Sequence, residues 1–197
     1  MRIAAIIVLA LVASACDRGP EGSGPRARPA GEPAARAEPE MQAIAGGLTW
    51  DAHDPLVYRA PENELRLAEY DVRGHAGTTL GVFHFPAAVG GGGDVQSNID
   101  RWLGQLTQPD GRPTREVARI ERREVGGLPL TIVDARGTFV GRLGMGGGGG
   151  ERPGWRVLGA IAEGPEGPVF FKLLGPEAGV AAAEGAFDEL VASIRPL

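Results

Sequence analysis

The sequence predicts an α+β domain whose strands pair in an antiparallel sheet. Several runs between residues 65 and 174 alternate apolar residues with polar or small ones, which is the period of a strand. Two other segments, near residues 94–106 and 180–194, repeat apolar residues at helical spacing. Connections between consecutive strand-like runs are short, and short connections favour antiparallel pairing. We therefore expect a hairpin, a helix, a meander and a closing helix, in that order.

Six runs have the composition of strands. Residues 65–70 and 79–85 flank a turn at residues 73–77 and predict a hairpin. Within the second run, Leu80, Val82 and His84 should lie on one side of the strand, and we expect His84 to be a half-buried sheet residue. The remaining runs are 117–125, 128–140, 155–162 and 168–174, and the last two are joined by a tight turn at residues 164–167.

Two amphipathic helices are predicted from the apolar spacing. Asp94 is a suitable N-cap for the first helix, because its carboxylate can accept from the first free backbone amides. Trp102 lies on the apolar stripe of that helix, so we expect it in the core. The stripe of the first helix is formed by Val95, Ile99, Trp102 and Leu106. The face of the second helix is formed by Val180, Ala183, Phe187, Leu190, Val191 and Ile194.

Residues 1–15 have the layout of a lipoprotein signal peptide. A positive start at Arg2 precedes an apolar run at residues 3–12 and small residues at 13–15. The apolar run has about ten residues, or roughly 15 Å as a helix, and is too short to cross a bilayer core about 30 Å thick. We therefore expect an export signal and not a permanent membrane span.

Two cleavage sites remain open at the end of this segment. Residues 13–15 fit the small-residue rule of ordinary signal peptidase, which would release a soluble protein. Residues 12–16 also resemble a bacterial lipobox, in which Cys16 would be diacylated and become the first mature residue. Cys16 is the only cysteine of the chain, and lipid attachment explains its position. We expect an exported protein held to the membrane through Cys16, with the leaflet left open.

The chain is expected to divide into a tether and one domain. Residues 16–46 are rich in Pro, Ala, Gly, Glu and Arg and contain no aromatic residue, so they cannot bury enough apolar surface to fold. Residues 47–197 are long enough for a single globular α+β domain. The formal net charge of −5 argues against a nucleic-acid partner. A single cysteine excludes an internal disulfide and a cysteine-based metal cluster.

Two stretches resemble the PsbP/Mog1-like superfamily. One is the helical stretch at residues 98–102, with the letters NIDRW. The other is the strand at residues 170–176 (FFKLLGP), followed by the helix end at residues 187–194 (FDELVASI). The resemblance implies an antiparallel sheet of about six strands between helical layers, an α/β/α sandwich. It also implies a protein that binds other proteins without catalysis.

No catalytic or cofactor site is predicted. Downstream of the tether the serines are Ser97 and Ser193, and both fall on predicted helices outside any nucleophile motif. Asp51, His53 and Asp54 lie together, but such a cluster is typical of a solvated turn. The glycine runs at residues 90–93 and 146–150 lack the Lys and Ser/Thr of a phosphate-binding loop. Glu163 and Glu166 flank a turn and are too local for an acid/base pair. We predict no metal and no cofactor.

The function hypothesis is a lipid-anchored envelope protein that binds or helps to assemble another protein, without enzymatic activity. The candidate binding face is the polar stripe of the first helix, formed by Asn98, Arg101 and Gln105. Two alternatives stay open. One is an envelope enzyme, such as a hydrolase, with an unrecognised polar cleft. The other is a carrier of a small ligand in an apolar cavity.

Overall fold

A computed structural model of the chain describes residues 43–61, 64–85, 93–141 and 150–197, all within the compact unit Glu40–Leu197. The predicted signal peptide, Cys16 and residues 16–42 of the tether lie outside the described residues. The helices of the described part are α1 (Val95–Leu103), α2 (Thr114–Val117) and α3 (Glu177–Ala192). Its strands are β1 (Ala43–Ala45), β2 (Leu48–Trp50), β3 (Leu56–Arg59), β4 (Ala68–Val72), β5 (Thr79–His84), β6 (Leu106–Thr107), β7 (Arg119–Val125), β8 (Leu128–Phe139), β9 (Arg152–Gly164), β10 (Gly167–Pro176) and β11 (Arg195–Pro196).

Eight strands form one large sheet in the order β3-β4-β5-β10-β9-β8-β6, with β7 also pairing with β8. Every pair in this sheet is antiparallel, so the predicted α+β class and the antiparallel pairing are confirmed. The predicted turn at residues 164–167 joins β9 to β10, with Gly167 opposite Gly164. The sheet has two strands more than the predicted six, because the short β3 and β6 pair at its two sides.

A second sheet of three strands joins the two ends of the described chain. Its centre is β2, which pairs antiparallel with β1 on one side and with β11 on the other. Leu48 and Trp50 of β2 are buried in the core. This small sheet was not predicted, because strands of two or three residues have no measurable period.

The large sheet buries both of its faces. Side chains alternate along β9, so that Leu158 and Ala160 belong to one apolar cluster and Val157 and Ile161 to the other. The first cluster packs against α3, which contributes the predicted face including Phe187. The second packs against α1, through Ile99, Trp102 and Leu103. Trp102 is 5% exposed, which confirms its predicted place in the core.

Helical layers on either side of the sheet were expected from the resemblance, and the described residues contain one helix of at least two turns on each face. The sixteen residues of α3 lie on one face and the nine residues of α1 lie on the other. The cluster under α1 includes residues of β8, β9 and β10 and none of β3 or β4. The fold is therefore strand-rich, and α1 leaves part of its face of the sheet uncovered.

The first predicted strand, at residues 65–70, is displaced in the structure to β4, Ala68–Val72. Ala68 and Tyr70 face the core, whereas Leu65 and Leu67 are 60% and 46% exposed. The register Ala68↔Val82 sets this choice, because it places the alternate residues of β4 beside the core residues of β5. The prediction for β5 is confirmed, since Leu80 and Val82 share one core cluster and Phe83 contacts the other.

Candidate binding site beside α1

One cross-strand row of residues crosses the face of the sheet that α1 partly covers. In this row Arg59 lies opposite Glu69, Glu69 opposite Gly81, Gly81 opposite Lys172, and Lys172 opposite Gly159. Residues that are directly opposite in a sheet point to the same face. The row therefore places a carboxylate and an ammonium on either side of a glycine in β5.

Aromatic rings cover both glycines of this row. A Cβ atom on Gly159 would lie 2.2 Å from Cζ3 of Trp102, and one on Gly81 would lie 2.9 Å from Cε2 of Phe83. Ordinary van der Waals contact begins at 3.4 Å, so neither position has room for a side chain. The absence of a Cβ lets the indole of α1 rest directly on β9 and lets the Phe83 ring lie along β5.

Glu69 is a carboxylate with no exposed surface. Its Oε1 accepts hydrogen bonds from Nη2 of Arg59, at 2.7 Å, and from Nη1 of Arg66. Its Oε2 is buried and has no hydrogen-bond partner among the described residues. The two guanidinium groups balance its charge, as a buried carboxylate requires. Arg66 also lies over Phe83, with Cζ 5.8 Å from the ring centroid, so it connects Glu69 to the aromatic surface.

Lys172 is the only lysine of the chain and is half-buried in β10. Its Nζ donates to Oε1 of Gln105, which follows the C-terminal end of α1. Burial lowers the pKa of Lys172 to about 7, and repulsion from Arg66 and Arg101 adds to this effect. No carboxylate pairs with Lys172 in the described part of the chain. Near neutral pH its amine therefore exists in both the charged and the uncharged form.

We call Lys172, Gln105, Arg66 and Arg101 the Lys172 cluster. It brings together β10, α1 with the residues after it, and the segment before β4. Its chemistry follows from Lys172, a half-buried ammonium whose acceptor is the neutral amide oxygen of Gln105. Such a cluster can bind an anion, and the uncharged form of Lys172 can accept a proton.

A second buried cation, Arg156, lies on the α3 face of the sheet and is fully paired with carboxylates. Arg156 is 2% exposed and donates to both carboxylate oxygens of Asp134, at 2.8 and 2.9 Å. It also donates to both oxygens of Glu184 on α3, at 2.7 and 3.0 Å. These bonds raise the pKa of Arg156, whereas the pKa of Lys172 is lowered. Arg156 ties α3 to the sheet, and Lys172 has no comparable ionic partner among the described residues.

The predicted binding stripe is divided in the structure. Arg101 is exposed and Gln105 is half-buried, and both belong to the Lys172 cluster. Asn98 is 2% exposed, and its Nδ2 donates to the carbonyl oxygen of Asp94, at 3.0 Å. Asn98 therefore supports the first turn of α1 from inside and does not form an exposed face with Arg101 and Gln105.

The two carboxylates of the acidic cluster at the start of the domain form ion pairs with arginines. Asp51 pairs with Arg195 at 2.9 Å, and this hydrogen bond lowers the pKa of Asp51. Asp54 pairs with Arg73 at 2.7 Å. His53 is exposed. The described residues include no group of three His, Cys, Asp or Glu side chains arranged to hold a metal ion.

The two serines considered as nucleophiles are bonded at helix ends. Oγ of Ser97 donates to Oδ2 of Asp94 at 2.8 Å, beside the predicted N-cap bond from the Ser97 amide to Oδ1. Oγ of Ser193, which follows α3, donates to the carbonyl oxygen of Leu190 at 2.6 Å. The glycine runs at residues 90–93 and 146–150 lie outside the described residues except for Gly93 and Gly150.

Sequence analysis did not identify Lys172, Glu69 or Arg66 as site residues. A signal was present, since Lys172 is the only lysine and interrupts an apolar strand between Phe171 and Leu173. The partners of Lys172 come from other elements, and only the strand register and the position of α1 bring them together.

His84 was predicted as half-buried, which is confirmed, and its Nδ1 lies 3.2 Å from the carbonyl oxygen of Pro168.

No helix in the described ranges has both the length and the apolar composition needed to span a membrane.

The sequence matches no protein-family model and no curated protein. The structure is similar to the solution structure of the cyanobacterial PsbP protein (CyanoP) from Synechocystis sp. PCC 6803. That comparison has a TM-score of 0.48 and 11% identity, and covers 77% of this chain and 88% of that one. It is also similar to the protein of unknown function PA94 from Pseudomonas aeruginosa, with a TM-score of 0.38 and 10% identity, over 72% of this chain and 97% of that one. Both similarities concern the fold alone.

Proposed function

We propose that this chain is a lipid-anchored protein of the cell envelope whose folded domain binds another protein and catalyses no reaction. The export signal, Cys16 and the tether predicted from the sequence support the anchored location. The binding role is supported by one structural observation. On the side that faces α1, the strands β3 and β4 lie beyond the apolar cluster under α1. Among the described residues this part of the sheet carries aliphatic, aromatic and positively charged side chains, together with the carboxylates of Glu69 and Asp71.

We call this surface the open sheet face and define it by Val57, Arg59, Phe83 and Lys172. Val57 is 39% exposed on β3, and Phe83 is half-buried on β5. Aromatic and arginine side chains are enriched at protein interfaces, because they combine apolar contact area with hydrogen-bond donors. In the large sheet, β3 is the last strand of the described order beyond β4, so its outer backbone edge is available to a partner strand.

The anchor is tested by metabolic labelling with an alkyne-bearing fatty acid in the bacterial host. We expect the wild-type protein to carry the label in the membrane fraction. Cys16→Ser should remove the label and release the protein, since it deletes the only thiol of the chain. A label that persists in Cys16→Ser, or an unlabelled wild-type protein, would contradict lipid attachment at this residue.

The partner is tested with a photo-crosslinking amino acid at Val57 on the open sheet face. The control carries the same amino acid at Ala182, which is exposed on α3 on the opposite side of the sheet. We expect one dominant envelope protein to be captured from Val57 and not from Ala182. Equal capture at both positions, or no capture at Val57 from intact cells, would contradict binding through this surface.

A second candidate function is an envelope enzyme that uses Lys172 as a base or nucleophile. It is favoured by the pKa of about 7, because an uncharged amine near neutral pH can accept a proton. The test is turnover of model ester, amide and glycoside substrates by wild type and by Lys172→Met. Turnover that is lost in Lys172→Met would favour the enzyme, and activity equal in both proteins would exclude this role of Lys172.

A further inference from the structure

Three positive groups meet at the border between the open sheet face and α1. Lys172 comes from β10, Arg66 from the segment before β4, and Arg101 from α1. Both arginines repel the ammonium of Lys172. Arg66 is balanced by Glu69. Lys172 instead donates to a neutral amide oxygen, and the described residues supply no carboxylate within ion-pair distance of it.

A half-buried ammonium with an amide oxygen as its acceptor is poorly compensated. Burial removes water from the charge, and an amide oxygen returns less favourable energy than a carboxylate does. Glu69 does not fill this role, because its ion pairs are with Arg59 and Arg66 and it is not within ion-pair distance of Lys172. An incoming carboxylate would offset the repulsion that Arg66 and Arg101 exert on the ammonium of Lys172. It would also meet donors already held in place by the strands and by α1.

We propose that the Lys172 cluster binds an aspartate or glutamate side chain of an acidic segment of the partner protein. This inference rests on the proposed function, because it names the chemistry of the partner at the open sheet face. Besides the charge of Lys172, the cluster offers Nε2 of Gln105, whose Oε1 is already engaged by Lys172. An ammonium and an amide N–H group together match the two oxygens of one carboxylate.

The surroundings favour a protein segment over a free anion. Val57 is exposed on the same face, and Phe83 is half-buried beneath Arg66. These groups provide apolar contacts for residues that flank an acidic side chain. The net charge of −5 repels anions from the molecule as a whole, so recognition of a carboxylate depends on local contacts.

The test uses the single lysine as a reporter. Full-length protein in mild detergent micelles is labelled with ¹³C at lysine Cε, which gives one lysine signal whose position follows the protonation of Lys172. The probes are the peptide acetyl-Leu-Glu-Phe-Glu-Leu-amide, the same peptide with Gln for Glu, and sodium acetate. We expect the acidic peptide to raise the pKa of Lys172 by at least about 1, which is a tenfold preference for the ammonium form.

The Gln peptide should leave that pKa unchanged. Lys172→Met should weaken binding of the acidic peptide by about tenfold, the factor that corresponds to a change of 1 in pKa. Arg112→Met, which makes the same charge change at an exposed position, should bind as wild type does. An unchanged pKa with the acidic peptide would overturn the proposal. An equal effect of acetate at the same carboxylate concentration would also overturn it, and would assign the cluster to small anions.

Crosslinking from Val57 in Lys172→Met cells separates this inference from the proposed function. Undiminished capture of the partner in Lys172→Met would keep the proposed function and refute carboxylate docking at Lys172. Capture lost in Lys172→Met and kept in Arg112→Met would support both. No capture in wild type, together with the peptide effect on Lys172, would refute the proposed function and keep the carboxylate site.

Discussion

Gly159→Ala tests the contact that places α1 on the sheet. The new methyl group would lie 2.2, 2.8 and 3.1 Å from three ring atoms of Trp102, and ordinary contact begins at 3.4 Å. The indole would therefore have to withdraw by about 1.2 Å in a close-packed core. The indole also packs against Phe170 of the same sheet face, with ring centroids 6.4 Å apart, so its withdrawal would loosen a second core contact.

The expected cost is about 3 kcal/mol in the free energy of unfolding. Overpacking of a core typically costs about 1–3 kcal/mol, and removing the packing of a whole aromatic side chain costs about 3–5 kcal/mol. Trp102 is 5% exposed and would keep part of its contacts, which places the value between these two cases. Alanine loses less backbone entropy on folding than glycine does, and this difference offsets about 0.5–1 kcal/mol of the destabilisation caused by the overpacking.

The assay is urea unfolding followed by tryptophan fluorescence. Free energies of unfolding are compared between proteins whose unfolding free energy depends on urea concentration with the same slope. The matched control is Gly185→Ala on α3, where a Cβ would have no heavy atom within 4 Å. That control should be neutral or should stabilise the helix by up to about 1 kcal/mol. In a Trp102→Phe background, where the smaller ring leaves space, Gly159→Ala should cost clearly less. Wild-type stability of Gly159→Ala, or an equal cost in both backgrounds, would refute the packing argument.

Four further measurements address the charged and capping groups. Arg156→Met should lower the free energy of unfolding in urea by about 1–2 kcal/mol, because it removes the hydrogen bonds to Asp134 and Glu184, whereas Asp134 keeps Arg136 at 3.7 Å and the Glu184 side chain is 45% exposed to water. Arg156 lowers the pKa of Glu184, so the stability from this pair is present above the ordinary pKa of 4.5 and is lost as the pH falls below it. Acid unfolding of the wild-type protein should show this loss of stability, and acid unfolding of Arg156→Met should not. The unfolded chain keeps the Lys172 proton up to about pH 10.5 and the folded chain loses it at about 7, so wild-type stability should rise between these values and Lys172→Met should lack that slope. Asp94→Ala should lower the urea midpoint by removing the N-cap of α1, and Asp94→Asn should restore most of it.

Much of the large sheet could be predicted because its patterns are local. Along β9 the residues from 155 to 162 form one continuous buried run, and a short run of this kind between turn residues is typical of a strand buried on both faces. The face that β4 buries could not be predicted this way, since Leu65 and Leu67 alternate as regularly as Ala68 and Tyr70. Only the pairing with β5 decides between them. The small sheet depends on β2 meeting β11 from the far end of the domain, which no local pattern reports.

The candidate site could be predicted only in part, for a related reason. Arg101 and Gln105 were identified from the polar side of a helix, and both lie in the Lys172 cluster. Asn98 has the same helical spacing, but it is buried, and its Nδ2 donates to the carbonyl oxygens of Gly93 and Asp94 at 3.4 and 3.0 Å. Lys172 stands out in the sequence as the only lysine. Its role depends on a strand register that places Gly81 beside it and on Gln105, a residue that follows α1 and is 67 positions away.

The small sheet makes the two ends of the described chain neighbours. Strands β1 and β11 flank the same strand, β2, so their backbones are separated by two strand spacings, or about 9.6 Å. A linker of about four residues can span that distance. The order of elements along the chain could therefore be changed by joining these ends and opening a surface turn elsewhere, without breaking the large sheet. Segments joined to β1 and to β11 would start from the same small sheet, far apart in sequence but separated by one strand in space.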